Sequence, residues 1–140
     1  MTDKGVVSRK LASLREHVGR LRRRRGEDLA AFRANVDLQD AVAMSLLVAV
    51  QDTLDIALHL ASDEGWGVPP SYAESFAVLE RHAVLDAALA RSLVRMATLR
   101  NRIAHGYATV DVERIWAELP AGIDAFDAFA ASIATWVDRT

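Results

Sequence analysis

No cysteine occurs among these 140 residues, which excludes disulfide scaffolds, thiolate metal sites and thiol nucleophiles. Long apolar runs are missing as well. The longest nearly apolar stretch, residues 41–50, is interrupted by Ser45 and is too short to cross a bilayer. Met1-Thr2-Asp3-Lys4-Gly5 lacks the apolar core of a signal peptide, so a cytoplasmic protein without membrane contact is expected. There is no alternating strand pattern, no internal repeat and no low-complexity segment. A glycine-rich phosphate loop and a G-x-S-x-G elbow are also absent, and no cofactor is expected. His17, His59 and His82 have no i,i+4 His or Glu-x-x-His pairing of the kind that builds a metal cage, so no metal is expected either. The net charge of −2 by itself predicts neither nucleic acid nor membrane binding.

What is present is a globular composition, 51% hydrophobic and 26% charged, in a chain of single-domain size that can bury a real core. Residues 1–140 are read as one domain. Apolar positions recur every three or four residues, which predicts helices. The first runs from about Gly5 to Arg25 on Val7, Leu11, Leu14, Val18 and Leu21. Gly26 interrupts it, and a short turn of helix follows through Phe32. The second runs from about Asp37 to Ser62, with Leu38, Val42, Leu46, Val50, Leu54, Ala57, Leu58 and Ala61 on its buried face. Gly65-Trp66-Gly67-Val68-Pro69-Pro70 is a loop. Ser71 and Glu74 then form a capping box that opens a short helix carrying Phe76 and Leu79.

A longer helix is expected from near Leu85 to near His105, with Gly106 as its left-handed cap. Asp111 caps a short segment holding Ile115 and Trp116, and Pro120 is expected to break it. A last helix carries Ile123, Phe126, Ala130, Ile133 and Val137. The fold class is all-α, an up-and-down bundle of four to five main helices.

Chemistry concentrates in Arg100-Asn101-Arg102-Ile103-Ala104-His105-Gly106-Tyr107. A guanidinium stabilises an anion, and an imidazole moves a proton near neutral pH, a pairing suited to phosphate esters. Arg100 falls in the middle of the apolar stripe Leu85, Leu89, Leu93, Met96 and Ile103. There it needs a carboxylate, a phosphate or a cleft. Its plain structural alternative is an ion pair with a core acid such as Asp55. Arg91, Arg95 and Arg102 point elsewhere and can simply be solvated.

His105 projects from the opposite side of a regular helix. The two groups can converge only through the long arginine side chain, a distorted last turn or a second subunit. Alone, His105 reads as a helix-end cation, with Asn101 four residues earlier placed to orient its ring. Tyr107 is expected to be exposed near the mouth of the region that His105 lines. Asp52 and Asp55 read as surface and pairing groups. The cluster Arg20, Arg22, Arg23, Arg24 and Arg25 is either a solvated helix end or an electrostatic track for RNA or an acidic protein.

The stretch has the form R-N-x-x-x-H-x-Y. With Asp55-Ile56-Ala57-Leu58-His59, Pro70-Ser71-Tyr72, Met96, and Val110-Asp111 around it, the chain from about Asn35 to Trp116 resembles the HEPN domain of HepT-like toxins. These are the RNase halves of bacterial HepT–MNT toxin–antitoxin pairs. The resemblance implies a helical homodimer whose two R-x-x-x-x-H motifs line one cleft. It implies metal-independent endoribonuclease cleavage of RNA, tRNA included, with Arg100 and His105 catalytic and Asn101, Arg102 and Tyr107 supporting or RNA-binding. It also implies a minimal nucleotidyltransferase antitoxin that in some members adds AMP to the motif tyrosine, here Tyr107.

Chemistry is consistent with that scheme. Metal-free RNA cleavage wants a base for the 2′-hydroxyl and an acid for the leaving oxygen, and a two-fold dimer supplies the second histidine. Two other readings of the residues stand beside it. One is a non-catalytic helical subunit that binds substrate or partner for a minimal nucleotidyltransferase. The other is a plain interaction bundle in which Arg100 forms a structural ion pair.

Overall fold

The structure is a computed structural model that describes residues 2–106 and 111–140. Among the described residues the chain forms α1 (Lys4–Arg25), α2 (Leu29–Arg33), α3 (Val36–Asp63), α4 (Tyr72–Arg81), α5 (Ala87–Gly106) and α6 (Val112–Arg139). Most starts are fixed by a side-chain oxygen that takes up orphan amides of the first turn. Asp3 caps α1, Asp28 caps α2, Asn35 caps α3, Ser71 caps α4 and Asp111 caps α6. Asp86 Oδ1 accepts from the Leu89 amide at 2.7 Å, so α5 opens at Ala87, two residues beyond the expected start.

Long helices α1, α3, α5 and α6 close a ring of packed neighbours, with α4 laid across α3 and α5 and α2 bridging α3 and α6. The chain reverses between α1 and α3. Thr2 Oγ1 donates to Glu64 Oε1 (2.8 Å) and Lys10 Nζ to Asp55 Oδ2 (2.9 Å), so the start of α1 meets the end of α3. The bundle is therefore all-α and up-and-down, as the pattern implied. Its interior holds all four phenylalanines, Phe32, Phe76, Phe126 and Phe129, with Leu14, Leu46 and Leu60 among them.

Helix α3 is long and apolar enough, by length and composition, to span a bilayer, but 61% of its apolar window is buried inside the protein. Its hydrophobicity serves the core. The predicted stripe of α3 is buried except at Leu38, which is half-buried, and at Leu58, which is 38% exposed and lines a groove with Val6, Lys10 and Asp55.

Two helix ends share one geometry. After α3 the Trp66 amide donates to the Ala61 carbonyl (2.7 Å) and that of Gly65 to Ser62 (3.2 Å), with Gly65 at φ +74. After α4 the Val84 amide donates to Leu79 (2.9 Å) and that of Ala83 to Glu80 (3.0 Å), with Ala83 at φ 60. Both are Schellman caps, which place a left-handed residue just past the helix.

Helix α6 corrects the expectation that Pro120 breaks the chain, because it runs unbroken from Val112 to Arg139 with Pro120 inside. Proline lacks the amide that would bond the carbonyl four residues back, here Trp116. That carbonyl instead accepts from Arg25 Nε at 2.9 Å. The Arg25 guanidinium lies over the Trp116 ring, 3.7 Å from its centroid, and Trp116 Nε1 donates to the Arg25 carbonyl at 3.2 Å. A side chain from the end of α1 thus takes the place of the missing helical donor.

Candidate active site

Helix α5 carries the candidate residues. Leu93, Met96, Ala97 and Ile103 are buried on its inner side, and close contact with α6 is possible because Gly122 lacks a side chain. A Cβ there would lie 2.2 Å from Met96 Sδ. Arg100, one turn beyond Met96, follows this inner side and is half-buried. Its Nη1 donates to Asn101 Oδ1 at 3.2 Å, while its Nε is enclosed without a hydrogen-bond partner among the described residues.

The proposed structural pairing of Arg100 with Asp55 does not occur. Asp55 is bonded by Lys10 Nζ through Oδ2 (2.9 Å) and by Gln51 Nε2 through Oδ1 (2.8 Å). Among the described residues, no carboxylate forms an ion pair with Arg100. Asn101 is also placed differently from the expectation: its carbonyl oxygen serves Arg100 rather than the His105 ring.

His105 and Arg102 are exposed. Since α5 stays helical through Gly106, the last turn brings no convergence, and five residues of regular helix separate the Arg100 and His105 directions by about 140°. The structure therefore places a half-buried guanidinium and an exposed imidazole on different sides of one helix end. Gly106 is the last helical residue of α5, one residue beyond the expected end near His105. Tyr107 and Val110 lie outside the described residues.

Two sequence features take new meaning. Asp52, read as a surface group, is only 4% exposed between α1 and α3. Burial pushes its carboxyl above the ordinary value of 3.8, against the lowering pull of a Ser13 hydrogen bond and the charges of Lys10 and His17. Asp52 lies off the apolar stripe of α3, on a side that packed helix α1 then encloses.

The Arg20–Arg25 cluster is largely engaged within the chain. Arg20 pairs with Glu16, Arg22 with Asp127, and Arg25 with the Trp116 carbonyl and ring. Arg33 pairs with Glu113, tying α2 to the start of α6. Among the described residues, no group of three or more His, Cys, Asp or Glu is placed to hold a metal ion.

A family model described as ribonuclease HepT-like matches residues 14–133, wider at both ends than the resemblance seen in the motifs. The mRNA nuclease HepT of Shewanella oneidensis is 25% identical over 124 residues, covering 89% of this chain and 92% of that protein. The tri-AMPylated HEPN toxin of Shewanella oneidensis, solved in complex with MNT antitoxin, has a TM-score of 0.87 at 25% identity. That likeness covers 96% of this chain and 99% of the toxin chain. YutE of Bacillus subtilis, a cytosolic protein of unknown function, has a TM-score of 0.83 at 14% identity, covering 99% of this chain and 92% of YutE. At that identity the likeness is one of fold.

Proposed function

We propose that this chain, which belongs to the ribonuclease HepT-like family, cuts RNA as a pair of copies, each supplying Arg100 and His105 to one shared cleft. It is a ribonuclease of the HepT toxin kind. The pairing and the residue roles are our reading. The observation that carries them is the placement of the two groups: one chain presents a half-buried guanidinium on one side of α5 and an exposed imidazole on another. A two-fold pairing of α5 ends supplies the second copy of each group.

In the shared cleft, one His105 takes the proton from the ribose 2′-hydroxyl, and the freed oxygen attacks the adjacent phosphorus. The other His105 gives a proton to the departing 5′-oxygen. The products are a 2′,3′-cyclic phosphate end and a 5′-hydroxyl end. Arg100, held by Asn101 with donor capacity still open, faces the phosphorane and stabilises its charge. These residues run the reaction without a metal. The substrate is cellular RNA, mRNA or tRNA, met in the cytoplasm, and the silencing partner is a minimal nucleotidyltransferase. An AMP placed on Tyr107, two residues from His105, would add bulk and negative charge that oppose an incoming phosphate backbone.

The test uses heterodimers purified through two different tags. A wild-type/His105→Ala heterodimer is expected to lose at least about 100-fold in the rate of RNA cleavage, since acid and base come from different copies. Half-maximal activity in that heterodimer would overturn the shared-histidine mechanism. An Arg100→Ala homodimer should fold and associate normally while cleavage collapses, with wild-type cleavage unaffected by chelator. Complete absence of wild-type cleavage across RNA classes would favour the non-catalytic partner subunit instead.

A further inference from the structure

Basic residues that look scattered in the sequence fall in line on α5. Arg91, Arg95, Arg102 and His105 are spaced by four, seven and three residues, with the uncharged Thr98 in the gap, so they share an arc of about 80° on a regular helix. All of them are exposed. The line extends about 21 Å from Arg91 to His105, at 1.5 Å per residue. Among the described residues, no carboxylate forms an ion pair with Arg91, Arg95 or Arg102. Arg95 Nη2 only donates to Ser92 Oγ at 3.1 Å.

The contrast with α1 is informative. In the conspicuous run Arg20, Arg22 and Arg25 are tied to Glu16, Asp127 and Trp116, which leaves Arg23 and Arg24, whereas among the described residues none of the three arginines on the α5 line has an ion-pair partner. At its far end, Arg91 and Arg95 border a groove of 410 Å³ between α4 and α5, lined also by Phe76, Ala77, Val94 and the carboxylate Glu80.

Resting on the nuclease reading above, we propose that Arg91, Arg95 and Arg102 form a phosphate track that carries the backbone of single-stranded RNA along α5 to His105. Exposed guanidiniums without carboxylate partners are suited to neutralising successive phosphates and releasing their counterions. Because the line ends on the proton-transfer group, RNA held along it arrives with a phosphodiester at His105. The arginines are positioning residues that fix where along the strand the cut falls, not members of the reacting set.

Binding of a fluorescein-labelled single-stranded oligoribonucleotide is measured by anisotropy across a salt series, in a His105→Ala background so that the RNA survives. Arg91→Gln/Arg95→Gln should weaken binding and flatten the dependence of log K on log salt by about 0.7 for each arginine removed. Arg23→Gln/Arg24→Gln removes the same charge from the α1 cluster and should leave the slope in place.

An unchanged slope in the α5 variant overturns the track. So does an equal drop in both variants, which would be an effect of net charge alone, or RNA that fails to bind the parent. If sedimentation shows that the α5 variant changes only dimerisation, the face belongs to the contact between copies and the track is again overturned. Cleavage by the wild-type protein, scored in parallel, separates failure of the nuclease reading from failure of the track.

Discussion

Ala83 ends α4 with φ 60, a conformation that an ordinary side chain resists by about 1–2 kcal/mol. The equivalent position after α3 is Gly65, at φ +74. Replacing Ala83 by glycine keeps the Schellman hydrogen bonds and relieves the strain. The gain is partly offset by the greater freedom of glycine in the unfolded chain. Ala83→Gly is expected to raise stability by about 0.5–1 kcal/mol, read as a higher denaturant midpoint at unchanged m-value.

Asp52 makes a prediction of opposite character, through pH. Burial raises its carboxyl above the ordinary 3.8, so the folded protein holds the proton more tightly than the unfolded chain does. Stability is therefore greatest below the ordinary value, falls as pH rises from there through the raised folded value, and is flat above it. Asp52→Asn cannot ionise and escapes this fall. Thermal melts should show Asp52→Asn with the higher Tm at pH 7 and the difference shrinking toward acid. A difference that grows toward acid would contradict the sign. The sequence could mark both residues as unusual only weakly. Strain at Ala83 and burial at Asp52 are set by the helix ends and by the α1 contact, not by neighbours in the chain.

At the scale of elements, the helices of the core were legible from periodicity, and the caps Ser71 and Asp111 from their residue types. Pro120 was not, and the reason is physical. Local rules see a missing amide and a crowded carbonyl at Trp116, but the substitute donor, Arg25, comes from the other end of the fold. Arg25 is accordingly 10% exposed, and Arg25→Ala should cost about 2–4 kcal/mol by removing a hydrogen bond, a cation–π contact and packing together.

The coupling is specific. In a Pro120→Ala background the residue-120 amide can serve the Trp116 carbonyl, so Arg25→Ala should cost less by about 0.5–1.5 kcal/mol. A double-mutant cycle by urea unfolding measures this, and strict additivity would show that the carbonyl does not depend on Arg25. The same contact gives the Arg20–Arg25 run a structural role beside its charge. Its last member is a structural part of the α1–α6 junction.

For the whole molecule, the bundle and the motif that identifies the family were both readable before any coordinates. R-N-x-x-x-H-x-Y has fixed spacing on one helix, and helical spacing survives folding. Much less readable were the surroundings of the motif. That Asn101 serves Arg100 and that Asp55 is occupied by Lys10 depend on which side chains meet across helices, and many pairings satisfy one hydrophobic pattern. The α5 arginines were visible as a group set apart from Arg100, but that no described carboxylate pairs with them depends on how the helices pack.

The separation of Arg100 from His105 around the end of α5 bears on dosage. If each strand scission needs both groups from two polypeptides, the rate at low abundance climbs with the square of protein concentration. A leaky promoter that makes a few stray molecules would then leave the transcriptome intact, while a modest surge would cross into growth arrest. On the two-copy mechanism proposed above, the geometry of a single helical turn and a half would set a threshold before any antidote protein takes part.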